Sequence, residues 1–291
     1  MFDPVHLRSF VAVARTLSFT QAAARLELRQ STVSQHVRKL EAATGRSLFV
    51  RDTHSVALTP DGEAMREFAT TILDTTDRAM AYFGGAQVRG RLRFGISEDL
   101  VLTRLTAVLA AFRRRHPLVD LQLTVGLSEN LEQLVDHGEL DLLFAKRGPG
   151  NAAGTPVWRD RYVWVSGAEL LPIGPADPVP LVCYPAPSLS RAAAITALEA
   201  QGRQWRMACT SDSLSGLRAA ALAGLGVIAH AETLVPAGLV PVPARAGLPE
   251  LSRFEFVLSS GRRGLTGPAA AMADTIVASV DELRGQRRVR R

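Results

Sequence analysis

The sequence is short of the residue types that staple, anchor or carry metals. Its only two cysteines, Cys183 and Cys209, cannot make a disulfide framework. Lying in apparent strands, they read as buried, inert thiols rather than a redox pair. The six histidines show no metal-ligand spacing, so neither a metal nor a cofactor is expected. No stretch approaches the roughly 18 uninterrupted apolar residues of a membrane span. The opening MFDPVHLRSF carries Asp3, His6 and Arg8 and lacks the apolar core of a secretory leader. The expectation is a cytoplasmic protein with no membrane partner. No Ser, His and Asp sit in a GxSxG context, and AGLGV (223–227) reads as a tight helix-to-strand turn, not a dinucleotide fingerprint. With no catalytic constellation, the chain is not expected to be an enzyme.

What is present describes a folded chain: 291 residues, 47% apolar and 21% charged, enough for two domains or three. The net charge of +6 is carried almost wholly by arginine, since Lys39 and Lys146 are the only lysines. Residues 1–60 hold eight basic side chains against four acids, and the last eight, RGQRRVRR, hold five arginines. A basic excess at the ends fits a polyanionic partner. The tail is open to two readings, a disordered solubilising end or a sequence-independent DNA contact.

The first sixty residues read as short helices followed by a ribbon. Leu7, Phe10, Val11, Ala14 and Leu17 share one face at helical spacing. Ser18 and Gln21 form a capping-box pattern that starts a second helix with Ala22, Ala23 and Leu26 buried. A third helix runs from about Ser31 to Thr44, buries Val33, Val37 and Leu40, and stops at Gly45. LFVRDTHSVALT then suits a β-ribbon with Arg51 and His54 near its tip. Thr59-Pro60 starts a long helix reaching Phe83. Met65, Phe68, Ile72, Thr75, Ala79 and Tyr82 step by three and four along it, a heptad seam suited to a symmetric dimer; the alternative is packing on its own domain. Gly84, Gly85 and Gly90 break the chain, which places a domain boundary near residue 88.

Beyond that boundary strands and helices alternate, the pattern of a parallel α/β sheet. RLRFGIS, LQLTV and DLLFA read as strands of a first lobe, covering 89–164 and 260–291, and YVWVS near 162–166 and FEFVLSS near 254–260 as further strands. VPLVCY, a helix from about Ser190 to Ala200, WRMACT and LSGLRAAALAGLGV read as a second lobe over 165–259. A helix over 266–283 closes the chain, with Ala270, Ile276, Val277, Val280 and Leu283 as its buried positions. Two crossings between two α/β lobes make a hinged pair with a cleft. The fold class is α/β overall: an all-α N-terminal domain over 1–58, a linker helix over 59–88 and a two-lobed α/β domain over 89–291.

RQSTVSQHVRKLE has the make-up of a helix that enters a DNA major groove: apolar on one side, short or forked polar side chains on the other. Gln30 and Gln35 suit base edges; Ser31, Ser34, Arg38 and Lys39 suit phosphates, and Thr32 is also available. The plain alternative is a capped, solvated helix face.

Residues 5–65 resemble the winged helix-turn-helix of LysR-type transcriptional regulators. The elements that carry the likeness occur in order: SFTQAA in the second helix, QSTVS running to LE in the third, GRSLFVR in the wing, and TPDG at its close. HPLVDLQLTVG, GELDLLFA and AALAGLGVIAH resemble the effector lobes of the same family. The resemblance implies double-stranded DNA with a pseudo-palindromic operator as partner, a homodimer on the linker helix that often pairs into a homotetramer, and RNA polymerase as a further possible partner. It also implies lobes like those of type 2 periplasmic binding proteins and an allosteric small-molecule co-inducer or co-repressor. Carried over by position, DNA contacts fall on Gln30, Ser31, Ser34, Gln35 and Arg38, with Thr20, Gln21, Arg51 and His54 on the backbone. Gln35 stands where many members place arginine, which removes a bidentate guanine contact there and admits adenine.

Ligands of open α/β sheets settle beyond the carboxyl ends of strands. Ser97, Ser128 and Ser211 mark such junctions, and Glu98, Lys146, Asp212 and Gly226 complete the candidate effector site. Each serine is followed by an acid, Glu98, Glu129 or Asp212. If these face the cleft, they repel an anion and favour a neutral, cationic or apolar effector, unless Lys146 or Arg147 offsets them. The alternative is that all three are first-turn acids facing solvent. Against the regulator stands a second reading, an α/β enzyme or solute-binding protein with an ancillary helical domain.

Overall fold

A computed structural model describes residues 2–51, 56–83, 88–103, 105–169, 173–174, 176–261 and 264–284. The chain divides into two compact units, the first Met1–Gln87 with Arg114–Pro117 and the second Val88–Arg113 with Leu118–Arg291.

In the first unit, α1 (Pro4–Thr16), α2 (Phe19–Arg25) and α3 (Gln30–Thr44) precede a ribbon of β1 (Phe49–Arg51) and β2 (Val56–Leu58), and α4 (Pro60–Phe83) follows. The caps are those the sequence encodes. Asp3 accepts from the Val5 N–H at 2.8 Å, Ser18 from Gln21 at 3.3 Å, and Thr59 from Gly62 at 2.9 Å. Gly45 ends α3 with φ +66. Leu17 departs from expectation. Helix α1 stops at Thr16, Leu17 takes the left-handed conformation at φ 48, and its side chain is exposed. The core joins Leu7, Phe10, Phe19, Val33, Val37, Leu40 and Phe49. His54 and the tip of the wing lie outside the described residues.

Met65 and Ala69 of α4 belong to that same core, with Ile72 and Leu73 packed against it. Met65 is therefore not a free seam position, because it covers α1 of its own chain. Phe68, 65% exposed, and Thr75, Ala79 and Met80 are left uncovered on α4. Tyr82 lies in the last turn of α4. Gly84 and Gly85, read as the break, fall outside the described residues.

The second unit centres on a seven-stranded sheet. Its strands are β3 (Gly90–Ser97), β4 (Val119–Gly126), β5 (Leu142–Arg147), β6 (Thr155–Ser166), β9 (Ile228–Ala231), β10 (Val240–Pro241) and β11 (Arg253–Ser260). The order is β10-β6-β11-β5-β3-β4, with β9 also on β6. Strands β3, β4 and β5 run parallel, while β11 is antiparallel to β5 and β6. Helices α5 (Leu105–Arg115), α6 (Ser128–Asp136), α9 (Gly267–Ala278) and α10 (Val280–Leu283) accompany this sheet. Helix α5 follows a 3-10 turn at Glu98–Leu100. The closing helix breaks at Ser279. Ile276 and Leu283 are buried as expected, whereas Val277 is 58% exposed.

The second lobe adds β7 (Val179–Cys183) and β8 (Trp205–Thr210), a parallel pair, between α7 (Leu189–Ala200) and α8 (Leu214–Leu222). Strand β6 is shared. Its first half pairs with β11, while Tyr162–Val165 pair with β9. Strand β11 lies in the seven-stranded sheet along its whole length, between β5 and β6. Cys183 and Cys209 sit on neighbouring strands but pack into different clusters, one on each face of the pair. Both are free thiols, and burial pushes the Cys183 thiol up to about 11. No described helix is long and apolar enough to cross a membrane.

Gly62 explains how α4 meets the wing. A Cβ there would lie 2.1 Å from the Leu48 carbonyl oxygen, a backbone atom that cannot rotate aside. Gly62→Ala is expected to cost about 2 kcal/mol or more, read as an earlier denaturation transition with unchanged far-UV signal for the second unit.

Candidate functional site

Two arrangements stand out, one in each unit. In the first, α3 packs on both α1 and α2, and its buried side consists of Val33, Ser34, Val37 and Leu40. Two neighbours widen the covered arc by one position, which is why Ser34, expected outside, is only 9% exposed. Ser34 is thus corrected from a phosphate-gripping position to one inside the helix packing. Gln30, Ser31, Gln35, Arg38 and Lys39 are exposed, Thr32 is half-buried, and Thr20 and Gln21 are exposed at the start of α2. Arg51 ends β1 opposite Val56. His36, between these faces, hydrogen-bonds Ser9 Oγ through Nδ1 at 2.8 Å and lies 4.9 Å from the His6 ring. Burial and then His6 hold its pKa below the usual histidine range.

In the second unit, strand ends of both lobes converge on buried charges. Asp99 follows β3 and Lys146 lies in β5; Lys146 Nζ is 2.6 Å from Asp99 Oδ2, with both side chains at most 5% exposed. Ser97 Oγ donates to the same oxygen at 3.1 Å, and Ser128 Oγ accepts from the Lys146 backbone N–H at 3.1 Å. His230, the lone polar residue of β9, brings Nε2 to 3.3 Å from Asp99 Oδ1. Tyr162 of β6 stands with its ring centroid 5.5 Å from Lys146 Nζ and stacks on Phe254 at 4.3 Å. Tyr184, after β7, is fully buried. Among the described residues, the Tyr162 and Tyr184 hydroxyls and His230 Nε2 are buried with no hydrogen-bond partner.

The charges are settled by their neighbours. Burial alone would raise Asp99, but Lys146 and then His230 outweigh it and hold the carboxyl below its usual range. Burial would lower Lys146, yet Asp99 drives it well above the ordinary ammonium value. His230 is lowered, first by burial and against the pull of Asp99. Both tyrosines are raised, chiefly by burial; Asp99 and Glu98 add to the effect on Tyr184.

Of the residues expected to form an effector site, Ser97, Ser128 and Lys146 come together, and Glu98 joins them in an unforeseen role. Its Oε1 accepts the Leu214 N–H at 3.0 Å, so a first-lobe carboxylate caps α8 of the second lobe. Ser213, not Ser211, is the residue at the cap of α8. Asp212 is exposed and Glu129 half-buried, so the three acids do not act alike. Gly226 does not join the group. A Cβ there would lie 2.2 Å from the Pro180 carbonyl oxygen, so it serves the close approach of the strand before β9 to β7. Neither candidate cation is free to offset these acids, because Asp99 holds Lys146 and Glu255 holds Arg147. Asp99, Tyr162, Tyr184 and His230 escaped the sequence reading. The one available signal was His230, a histidine inside the apolar strand IAHA. Among the described residues no cluster of His, Cys, Asp and Glu could hold a metal.

Comparison with known proteins bears on both arrangements. Residues 4–63 match the bacterial regulatory helix-turn-helix protein, lysR family, and residues 85–280 match the LysR substrate binding domain. The HTH-type transcriptional regulator DgdR of Burkholderia cepacia is 32% identical over 270 residues, covering 93% of this chain and 92% of that one. PecT of Dickeya dadantii, also an HTH-type transcriptional regulator, is 29% identical and covers 87% of this chain and 79% of its own. Among solved structures, CrgA from Neisseria meningitidis shares the fold at a TM-score of 0.52 and 22% identity, over 95% of this chain and 98% of that one.

The ion pair makes a sharp prediction. Lys146→Met leaves a buried carboxylate unpaired and is expected to cost about 3–5 kcal/mol, with most of it regained in Asp99→Asn/Lys146→Met. Urea denaturation followed by tryptophan fluorescence reads both. Because Asp99 is depressed in the fold, its contribution is complete above about pH 4, the unfolded carboxyl value, and is lost as pH falls through the lower folded one.

Proposed function

The chain belongs to the LysR-type transcriptional regulators, and from that premise we propose that it binds duplex DNA through α3 as a homodimer assembled on α4, under control of a small molecule in the cleft between its lobes. The observation that carries the reading is the division of α3. Its apolar side is wholly covered, while Gln30, Ser31, Gln35, Arg38 and Lys39 project together from the other. A major groove admits such a helix, and forked amides read base edges while arginine and lysine hold phosphates. Thr20 and Gln21 add backbone contacts from α2, as do Arg51 and His54 from the wing.

Phe68, Thr75, Ala79 and Met80 support dimerisation, since an apolar stripe on a helix of this length is stable once covered. Pairing of dimers into a tetramer and contact with RNA polymerase extend the same reading, as does a cytoplasmic location. A ligand that binds two dimer arrangements unequally shifts the balance between them.

Gel-shift titration on duplexes selected from a random library tests this. Gln35→Ala is expected to weaken binding to the selected site by about tenfold or more while sparing random DNA. Arg38→Ala is expected to weaken both and to lower the salt slope by about one. Equal affinity of the native protein for selected and random duplexes would overturn the proposal.

A further inference from the structure

The second unit holds a concavity of about 400 Å³ whose lining includes four arginines: Arg159 and Arg161 of β6, Arg253 at the start of β11, and Arg284 just after α10. Acids and a threonine complete the lining, with no aliphatic or aromatic side chain among them. Strand alternation puts three of the arginines on one side. Trp158, Asp160 and Tyr162 of β6 are buried, as are Phe254 and Phe256 of β11, which turns Arg159, Arg161, Arg253 and Glu255 to the opposite face.

The register then sets unlike charges together at one rung and like charges at the next. Glu255 stands opposite Arg159 and accepts from its Nε at 2.8 Å, whereas Arg253 stands opposite Arg161. Like charges directly across a ladder are destabilising. The carboxylates around the concavity are already committed. Glu232 takes Arg161 with both oxygens, at 2.9 Å from Nε and 2.6 Å from Nη2. Glu250 adds to the negative field at Arg161. Asp160 accepts the Arg161 backbone N–H at 2.8 Å through Oδ1 and the Thr233 N–H and hydroxyl through Oδ2. Glu255 is divided between Arg147 and Arg159. Among the described residues, no carboxylate pairs with Arg253 or Arg284. Two positive charges therefore line one concavity without a counter-charge.

We infer that this concavity is a binding site for a phosphate dianion, held between Arg253 and Arg284 with the open N–H groups of Arg159 and Arg161 at its rim. Two uncompensated guanidiniums match two negative charges. They come from different elements, β11 and the end of α10, and β6 supplies a third. A tetrahedral phosphate presents oxygens toward all three, whereas one planar carboxylate is taken up by a single guanidinium fork. The lining offers no surface for a base or an aliphatic body, so the ligand is compact: inorganic phosphate or the terminal phosphate of a small polar molecule. Neither α3 nor the Asp99–Lys146 cluster contributes a lining residue, so the site is separate from the DNA-binding face and from the cleft.

The test uses the full-length chain at about pH 8, well above the second phosphate ionisation, with ionic strength held constant by sodium chloride. The probes are inorganic phosphate, pyrophosphate, acetate as a single planar carboxylate, and diethyl phosphate as a singly charged diester of the nucleic-acid backbone type. Phosphate and pyrophosphate are expected to raise the melting temperature by about 2 °C or more at saturation, and the other two are not. Arg253→Gln and Arg284→Gln are each expected to weaken pyrophosphate binding about tenfold by calorimetry. Without ligand, Arg253→Gln is expected to melt at the native temperature or higher, because it removes the like-charged rung. A lower ligand-free melting temperature with unchanged pyrophosphate affinity would show a structural role and overturn the inference. So would no response to phosphate or pyrophosphate, an equal response to acetate or diethyl phosphate, or full pyrophosphate affinity in Arg253→Gln/Arg284→Gln. Gel shifts on the same preparations keep the two proposals apart: selective DNA binding without a phosphate response removes only this one.

Discussion

The ion pair between Asp99 and Lys146 is the constraint around which the second unit is organised. Both groups have left water, so each would be unstable without the other, and the pair pins the carboxyl end of β3 to that of β5. Ser97 and Ser128 complete the anchoring through hydrogen bonds to one partner's carboxylate and the other's backbone. Strand β6 then carries Tyr162 into the same place, and β9, paired to it, carries His230. A lysine bound to its own carboxylate is no longer a generic anion receptor.

In the first unit the constraint is steric. Helix α3 is covered from two sides by α1 and α2, which leaves one polar face and draws Ser34 out of it. Helix α4 serves two purposes along its length. Its first turns close the core through Met65 and Ala69, and Gly62 allows the backbone of Leu48 to pass at a distance that no side chain permits. Farther along, Phe68, Thr75, Ala79 and Met80 are left exposed.

The architecture was largely legible in the chain itself, and the reasons are local. N-caps at Ser18 and Thr59, the left-handed stop at Gly45, and the contrast between alternating and helical periodicities depend on neighbours a few residues away. The errors lie where a residue's environment is set by something distant. Leu17 continues an apolar period past the point where its helix ends. Met65 fits a heptad, yet α1 claims it. YVWVS looks like a whole strand, yet it is the second half of one that begins at Thr155. The candidate cleft was half visible: three serines at strand ends identified the neighbourhood, and two of them line the cluster.

The order of residues determined by itself that this chain has a DNA-reading helix trio, a long connecting helix and a pair of α/β lobes, since propensity, capping and hydrophobic period act over short spans. Tertiary structure alone decided which of two adjacent acids, Glu98 or Asp99, would neutralise Lys146 and which would cap α8. Those residues are 47 or more positions from one partner and over a hundred from the other, and spacing along a chain carries no record of which charges meet once water is excluded.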